Sequence, residues 1–313
     1  MARAFVFPGQ GSQTVGMGKA LAEAFSTARE VFQEVDDALN QKLSTLMFEG
    51  PMEDLTLTEN TQPALMANSV AIMRVLERDG GFDLGLKATL IAGHSLGEYS
   101  ALAAAGAFGL ADTARLLKLR GQAMQAAVPP GAGSMAALLG LDLAAAQQAA
   151  KEGAQGECCD IGNDNAPGQV VLSGATAAVE RAIEAAKALG AKRAIMLSVS
   201  APFHCALLQP AADAMERAFE TTAMSAPVVP LVSNVTAAAV AAPDEIKALL
   251  VRQVTSTVRW RECVLAMGEA GVDELVEVGA GKVLSGMVKR INRDMTARNI
   301  EGPADIEAFL KSF

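Results

Sequence analysis

The chain has little of what many catalytic sites are built from: two histidines, four cysteines, one tyrosine and one tryptophan among 313 residues. So little aromatic mass means that any core must be mostly aliphatic, and 51% of the chain is hydrophobic. The cysteines (Cys158, Cys159, Cys205 and Cys263) show no metal-ligand spacing, and adjacent Cys158 and Cys159 could pair only with strain. They read as free thiols in a reducing compartment. There is no excess of positive charge either. A net charge of −9 argues against a general nucleic-acid surface, which needs clustered Lys and Arg, but leaves room for a local basic patch. The apolar run Ala4 to Phe7 is too short for a signal peptide and ends at Pro8-Gly9. Two stretches lack charge over the length of a membrane span, Gly121 to Leu141 and Thr221 to Ala242. Both are interrupted by prolines, the first also by glycines, and neither reads as a membrane helix. The expectation is a cytoplasmic protein with neither membrane nor nucleic acid as partner.

What is present is an alternation of strands and helices. Ala4 to Phe7 reads as a buried strand running into the loop Pro8-Gly9-Gln10-Gly11-Ser12-Gln13. A mostly helical stretch follows from Lys19 to Asp79, with breaks near Gly50-Pro51 and Asn60 and with Pro63 at an early helix position. Ala88 to Ala92 suits a central parallel strand, and it turns at Gly93 into a helix starting near Glu98. A helix from Asp112 to Met124 comes next. The middle of the chain changes rhythm: strand Ser134 to Leu141, helix Asp142 to Glu152, strands Cys158 to Gly162 and Gln169 to Leu172 joined by a turn-rich segment Asn163 to Gly168, helix Ala175 to Leu189, strand Arg193 to Val199. The order β-α-β-β-α-β is that of ferredoxin-like modules. Val229 to Ser233 and Glu274 to Val278 read as further strands of the first sheet. The expected fold is α/β: a parallel-sheet domain of residues 1–128 and 201–313 with a small ferredoxin-like insert at 129–200.

The sharpest local signal is Gly93-His94-Ser95-Leu96-Gly97, a G-x-S-x-G run between a strand and a helix. There a serine sits on a strained turn with its hydroxyl exposed, and the helix N-terminus behind it offers N–H groups to a developing oxyanion. The plainer alternative is a glycine-rich turn without chemistry. A serine nucleophile needs a base, and the scarcity of histidine shortens the search. His94 neighbours Ser95, so its side chain should point away from the hydroxyl and serve in packing or hydrogen bonding. His204 follows the strand Arg193 to Val199, where the insert rejoins the main domain, and is the one credible base. Two rivals remain open at this point: a serine hydrolase, whose order of Ser, acid, His fits poorly with an insert between Ser95 and His204, and a non-catalytic docking protein.

Phe7-Pro8-Gly9-Gln10-Gly11-Ser12-Gln13, Gly93 to Glu98, Arg120-Gly121-Gln122-Ala123-Met124, Asn163 to Gln169, and Gln253-Val254-Thr255 with Trp260 together resemble the acyltransferase family of fatty-acid and polyketide synthesis. The resemblance runs from about residue 3 to about 290 and implies an α/β-hydrolase-like large domain. It implies Ser95 as the acylated nucleophile, His204 as general base and acid, and Gln10 with the Leu96 N–H as the oxyanion hole. Arg120 would hold the free carboxylate of a malonyl group, and Gln253 would orient His204 through its backbone carbonyl. Arg suits a carboxylate because its planar fork donates two parallel hydrogen bonds; without the resemblance, Arg120 reads as a solvated residue late in its helix. Phe203 resembles the bulky residue of malonyl-selective members, its plainer reading being packing at the domain junction, and Asn163 and Asn165 would border the acyl pocket, although Asn163 to Gly168 reads first as a plain turn. The implied substrate is a coenzyme A thioester, malonyl-CoA, with no bound cofactor or metal, and the implied partner is an acyl carrier protein. Lys282, Lys289, Arg290 and Arg293, on a predicted C-terminal helix, and Lys192 with Arg193 are candidate docking spots for these anionic partners; the ordinary reading of such a run is a solvated face.

Overall fold

The computed structural model describes residues 2–312. Among them, ten strands form two sheets: β1 (Arg3–Phe7), β2 (Leu90–Gly93), β3 (Gly133–Leu139), β4 (Cys159–Ala166), β5 (Gln169–Ala175), β6 (Arg193–Met196), β7 (Leu231–Val232), β8 (Ala239–Val240), β9 (Glu274–Val278) and β10 (Thr296–Ile300). The larger sheet has the order β10-β9-β1-β2-β7-β8, parallel except for β8 at its edge. Its central strands read as unbroken apolar runs because both faces are covered. Phe5, Phe7, Ile91, Val276 and Val278 point into one core, and Ala4, Val6, Leu90, Ala92 and Leu275 into a second on the opposite face. Successive residues alternate between the two, as a strand's period of two requires.

The smaller sheet is antiparallel, in the order β4-β5-β3-β6. The helices Leu143–Ala154 and Thr176–Ala188 pack against Ala136, Leu138 and Leu172 in a third core. Met135 and Val171, on the other face, join the core of the larger sheet. Polar ties fix β4 to the segment after residue 256: Asp164 receives Arg261 at 2.7–3.1 Å, and Thr257 donates to the Ile161 carbonyl at 2.6 Å.

Several boundaries differ from the sequence expectation, each for a local reason. Asn60 does not break a helix and Pro63 is not in a first turn; both lie inside the helix Thr58–Arg74. The side chains of Asn60 and Thr61 donate to the Asp54 and Leu55 carbonyls at the end of the preceding short helix and tie the two helices together. Asn163 to Ala166 is not a turn but the second half of β4, and the turn is confined to Pro167-Gly168. Two bulges, between Ile161 and Asn163 and between Asp164 and Ala166, let these polar residues reach partners instead of solvent. Arg193 to Val199 is a strand only as far as Met196, and Val229 to Ser233 only at Leu231–Val232. Of the basic run, Lys289 and Arg290 lie on the helix Ser285–Ile291, whereas Lys282 and Arg293 flank it. No helix among the described residues is long and apolar enough to cross a membrane.

Candidate active site

The site begins where β2 ends. A Cβ on Gly93 would lie 1.9 Å from the carbonyl carbon of Gly97, and one on Gly97 would lie 2.3 Å from the Phe7 oxygen. Only glycine lets β1, β2 and the helix Gly97–Ala104 approach so closely. The turn between them forces Ser95 to φ 55, a left-handed conformation that costs a side-chain-bearing residue about 1 kcal/mol or more.

His204 is left-handed too, at φ 62. Its Nε2 lies 2.8 Å from Ser95 Oγ, and its Nδ1 lies 2.8 Å from the Gln253 carbonyl oxygen. A carbonyl only accepts, so Nδ1 carries the proton and Nε2 is free to accept from the serine hydroxyl. Burial, and then the positive charge of Arg120, push the imidazole pKa down to about 3, against the Gln253 carbonyl that favours the charged form. His204 is therefore neutral across the physiological range.

Arg120 is only 1% exposed, so its place as a solvated helix residue is ruled out. One guanidinium nitrogen donates to Gln62 Oε1 at 2.8 Å, and another to Gln253 Oε1 at 2.8 Å and to Ser95 Oγ at 3.1 Å. The group lies 5.5 Å from the centre of the Tyr99 ring. It is linked to a carboxyl group through an amide: Gln253 accepts from Arg120 and donates to Glu98 Oε2 at 2.7 Å. Burial raises the Glu98 carboxyl to about 8, opposed by the Asn234 N–H, the Arg120 charge and the Gln253 amide.

Asn234 secures the turn from behind. Its Oδ1 accepts from the Ser95 N–H, its Nδ2 donates to the Gly93 carbonyl, and its N–H donates to Glu98. The Ser95 N–H is thus committed, while the Leu96 N–H has no protein acceptor among the described residues.

Ser95, His204 and Arg120 open onto a cavity of about 120 Å³. The structure brings together Ser95, His204, Arg120, Gln10, Leu96, Asn163 and Phe203 on its wall. Gln10 does not contact the serine; its amide donates to Thr58 Oγ1 at 3.2 Å. Asn165 is not on the wall; its Oδ1 sits 2.8 Å from Nε2 of His94, which itself lines the same cavity as Ser95. Gln253 reaches the site through both its carbonyl and its side chain. Sequence reasoning missed Gln62, Glu98 and Asn234. Glu98 follows the serine turn directly, and Asn234 follows a predicted strand end, where sites of α/β sheets assemble; those positions were the available signals.

With this geometry in hand, similarity to known proteins is informative. Residues 4–303 match the model of the acyl transferase domain. The chain is 48% identical over 309 residues to the malonyl CoA-acyl carrier protein transacylase of Escherichia coli K12, covering 98% of each chain. The crystal structure of an acyl-carrier-protein-S-malonyltransferase from Bartonella henselae superimposes with a TM-score of 0.97 at 54% identity, covering 100% of this chain and 99% of that one. A malonyl-transacylase solved in complex with its type II PKS acyl-carrier protein superimposes with a TM-score of 0.96 at 45% identity over the full length of both.

Proposed function

Since the chain belongs to the acyl transferase domain family, we propose that it transfers a malonyl group from coenzyme A to the phosphopantetheine thiol of an acyl carrier protein, supplying fatty acid biosynthesis. The observation that carries this reading is the buried guanidinium of Arg120, 3.1 Å from the Ser95 hydroxyl on the wall of the same cavity. A serine esterase has no use for a cation there. A malonyl group does, because its free carboxylate can take both arms of the fork. The size fits as well: a cavity of about 150 Å³ holds benzene, with about six heavy atoms. The acyl cavity is of that order, and malonyl has about as many heavy atoms as benzene.

Ser95 Oγ attacks the thioester carbonyl while His204 Nε2 takes its proton. The imidazolium returns that proton to the departing coenzyme A sulfur, leaving a malonyl ester on Ser95. The carrier thiol then enters, loses its proton to His204, and attacks the ester carbonyl; the proton goes back to Ser95 Oγ as the malonyl thioester leaves. The Leu96 N–H faces the oxyanion, joined by the Gln10 amide once it leaves Thr58. Gln253 sets the imidazole tautomer through its carbonyl and steadies Arg120 through its amide. Phe203 bounds the cavity on the acyl side, and Asn163 adds a polar group to its wall. A malonyl carboxylate on Arg120 also offsets the charge that depresses His204, so the correct substrate makes its own base stronger.

The carrier would be steered by basic groups around an otherwise acidic surface. Lys192 and Arg193 stand exposed at the start of β6. Lys289 donates to the Arg293 carbonyl, and Arg290 donates to the Pro167 carbonyl and Gln169, which ties the β4-β5 turn to their helix. We read 129–200 as a ferredoxin-like insert in an α/β-hydrolase-like domain of 1–128 and 201–313; the antiparallel order of the smaller sheet supports it.

Intact mass after exposure to malonyl-CoA tests the reading. The wild type should gain one malonyl group and Ser95→Ala none, with acetyl-CoA labelling poorly. Labelling of Ser95→Ala, or an acyl-enzyme that prefers water to a pantetheine thiol, would overturn it.

A further inference from the structure

On the side of His204 away from the acyl cavity, three metal-ligating side chains meet. They are Cys158, just before β4; Asp160, within it; and Cys205, the residue after the base. Their ligand atoms all lie within 4.8 Å of one another. Cys158 Sγ is 3.3 Å from Asp160 Oδ2, and that oxygen is held in place by the Ala206 N–H at 3.0 Å. Cys205 is fully buried and Asp160 exposed, so the group is rooted in the protein and opens to solvent at the carboxylate. A polar cavity of about 510 Å³ bordered by Asp160 gives ions a path to it.

Tetrahedral zinc, with bonds of about 2.3 Å to sulfur and about 2.0–2.2 Å to oxygen, spaces its ligand atoms about 3.5–3.8 Å apart. Reaching that spacing requires these atoms to close by at most about 1 Å. We propose that Cys158, Asp160 and Cys205 bind a thiophilic divalent cation such as Zn²⁺, with water in the fourth position, and that its binding slows acyl transfer. Two Zn–S bonds and one Zn–O bond form, both thiol protons leave to solvent, and no electron changes hands. The coupling to catalysis is one peptide bond long. Cys205 Sγ now rests 3.2 Å from the Pro202 carbonyl, and drawing it toward a metal moves the left-handed His204 beside it.

Cobalt reports on such a site without reference to activity. Titrating the reduced, full-length protein with Co²⁺ should give a thiolate-to-cobalt charge-transfer absorption that saturates stoichiometrically and is displaced by Zn²⁺. Cys158→Ser and Cys205→Ser should abolish it, and Cys159→Ser should keep it. No such band in the wild type, or one lost with Cys159→Ser and kept in Cys158→Ser, would overturn the site. The effect on rate rests on the reaction proposed above. Zn²⁺ should slow malonyl transfer by between about tenfold and 10²-fold, the cost of displacing a catalytic group by about 1 Å. A chelator should restore the rate, and Cys158→Ser should resist the metal. A cobalt band without slowing would refute the link to His204 and leave the transferase reading intact.

Discussion

Ser95 and His204 share a left-handed backbone, φ 55 and φ 62, yet what holds each there differs. The serine is held by contact between backbones: β1, β2 and the following helix touch through Gly93 and Gly97, where there is no room for a methyl group. The histidine is held by hydrogen bonds from distant segments, with Gln253 fixing its ring and the Glu98–Gln253–Arg120 relay fixing the surroundings. The serine half is set chiefly by volume, with Asn234 and Gln253 as polar ties to its turn, and the histidine half by polar pairing. The serine side should therefore fail when atoms are added, and the histidine side when a polar partner is removed.

The largest effect should come from the polar half. His204→Ala removes the base and should slow acylation by up to about 10⁴-fold, or about 5.5 kcal/mol of barrier, the upper end of what general acid–base catalysis supplies. If the serine turn is independently held, thermal unfolding should shift by only a few degrees. Rapid-quench acylation alongside thermal unfolding separates the two. A collapse in stability would show that both halves belong to one cooperative unit, and the comparison would break.

Gly93→Ala is the opposite experiment. The added methyl meets backbone atoms at 1.9–2.3 Å, which no side-chain rotation relieves. Overpacking usually costs about 1–3 kcal/mol, and this position should reach or exceed the upper end. Urea unfolding measures it. A variant as stable as the wild type would mean that the turn has slack and that volume does not set it.

The same division explains what was legible in the sequence. Ser95 could be found because a volume-limited turn must spell its glycines locally. The parallel strands could be found because burial on both faces leaves unbroken apolar runs. His204 was legible only through scarcity, there being two histidines to choose from. The polar half was mostly hidden. Asn163 to Ala166 looked like a turn because its polar side chains find Arg261 and His94 only once the chain has folded. Arg120 looked solvated for the same reason, its acceptors Gln62 and Gln253 coming from two other helices. Cys158 and Cys205, without metal spacing along the chain, are neighbours only through the junction of the smaller sheet with the His204 segment.

Arg120→Ala tests whether polar pairing also sets specificity. It deletes the fork that a malonyl carboxylate would occupy while leaving the Ser95–His204 contact in place. The preference for malonyl-CoA over acetyl-CoA, as a ratio of kcat/KM, should fall by about 10²-fold, the scale of a buried charge-assisted pair at about 2–3 kcal/mol. An unchanged ratio would remove Arg120 from the acyl pocket.

The subtlest test is in the pH dependence, where the two parts of the polar half meet. Burial and Arg120 hold the folded His204 pKa at about 3, below the 6.5 of a free imidazole. The fold therefore binds fewer protons at this residue than the unfolded chain does between those values. The stability tied to neutral His204 is fully present above pH 6.5 and is lost as pH falls toward 3. Catalysis should follow the same group: kcat/KM, which reports the free enzyme, should show no His204 limb near 6.5 and should fall only at more acidic pH. Arg120→Met removes one of the three depressing influences and leaves burial and His94 in place. Its acidic limb should move up by about one pH unit, the low end of what a neighbouring charge does, making it about threefold slower midway between the two limbs, and about tenfold slower well below both, than the selectivity loss alone would make it. A limb already near 6.5 in the wild type would mean that the imidazole is less enclosed than its contacts indicate, and the base would then owe its place to solvent as much as to Gln253.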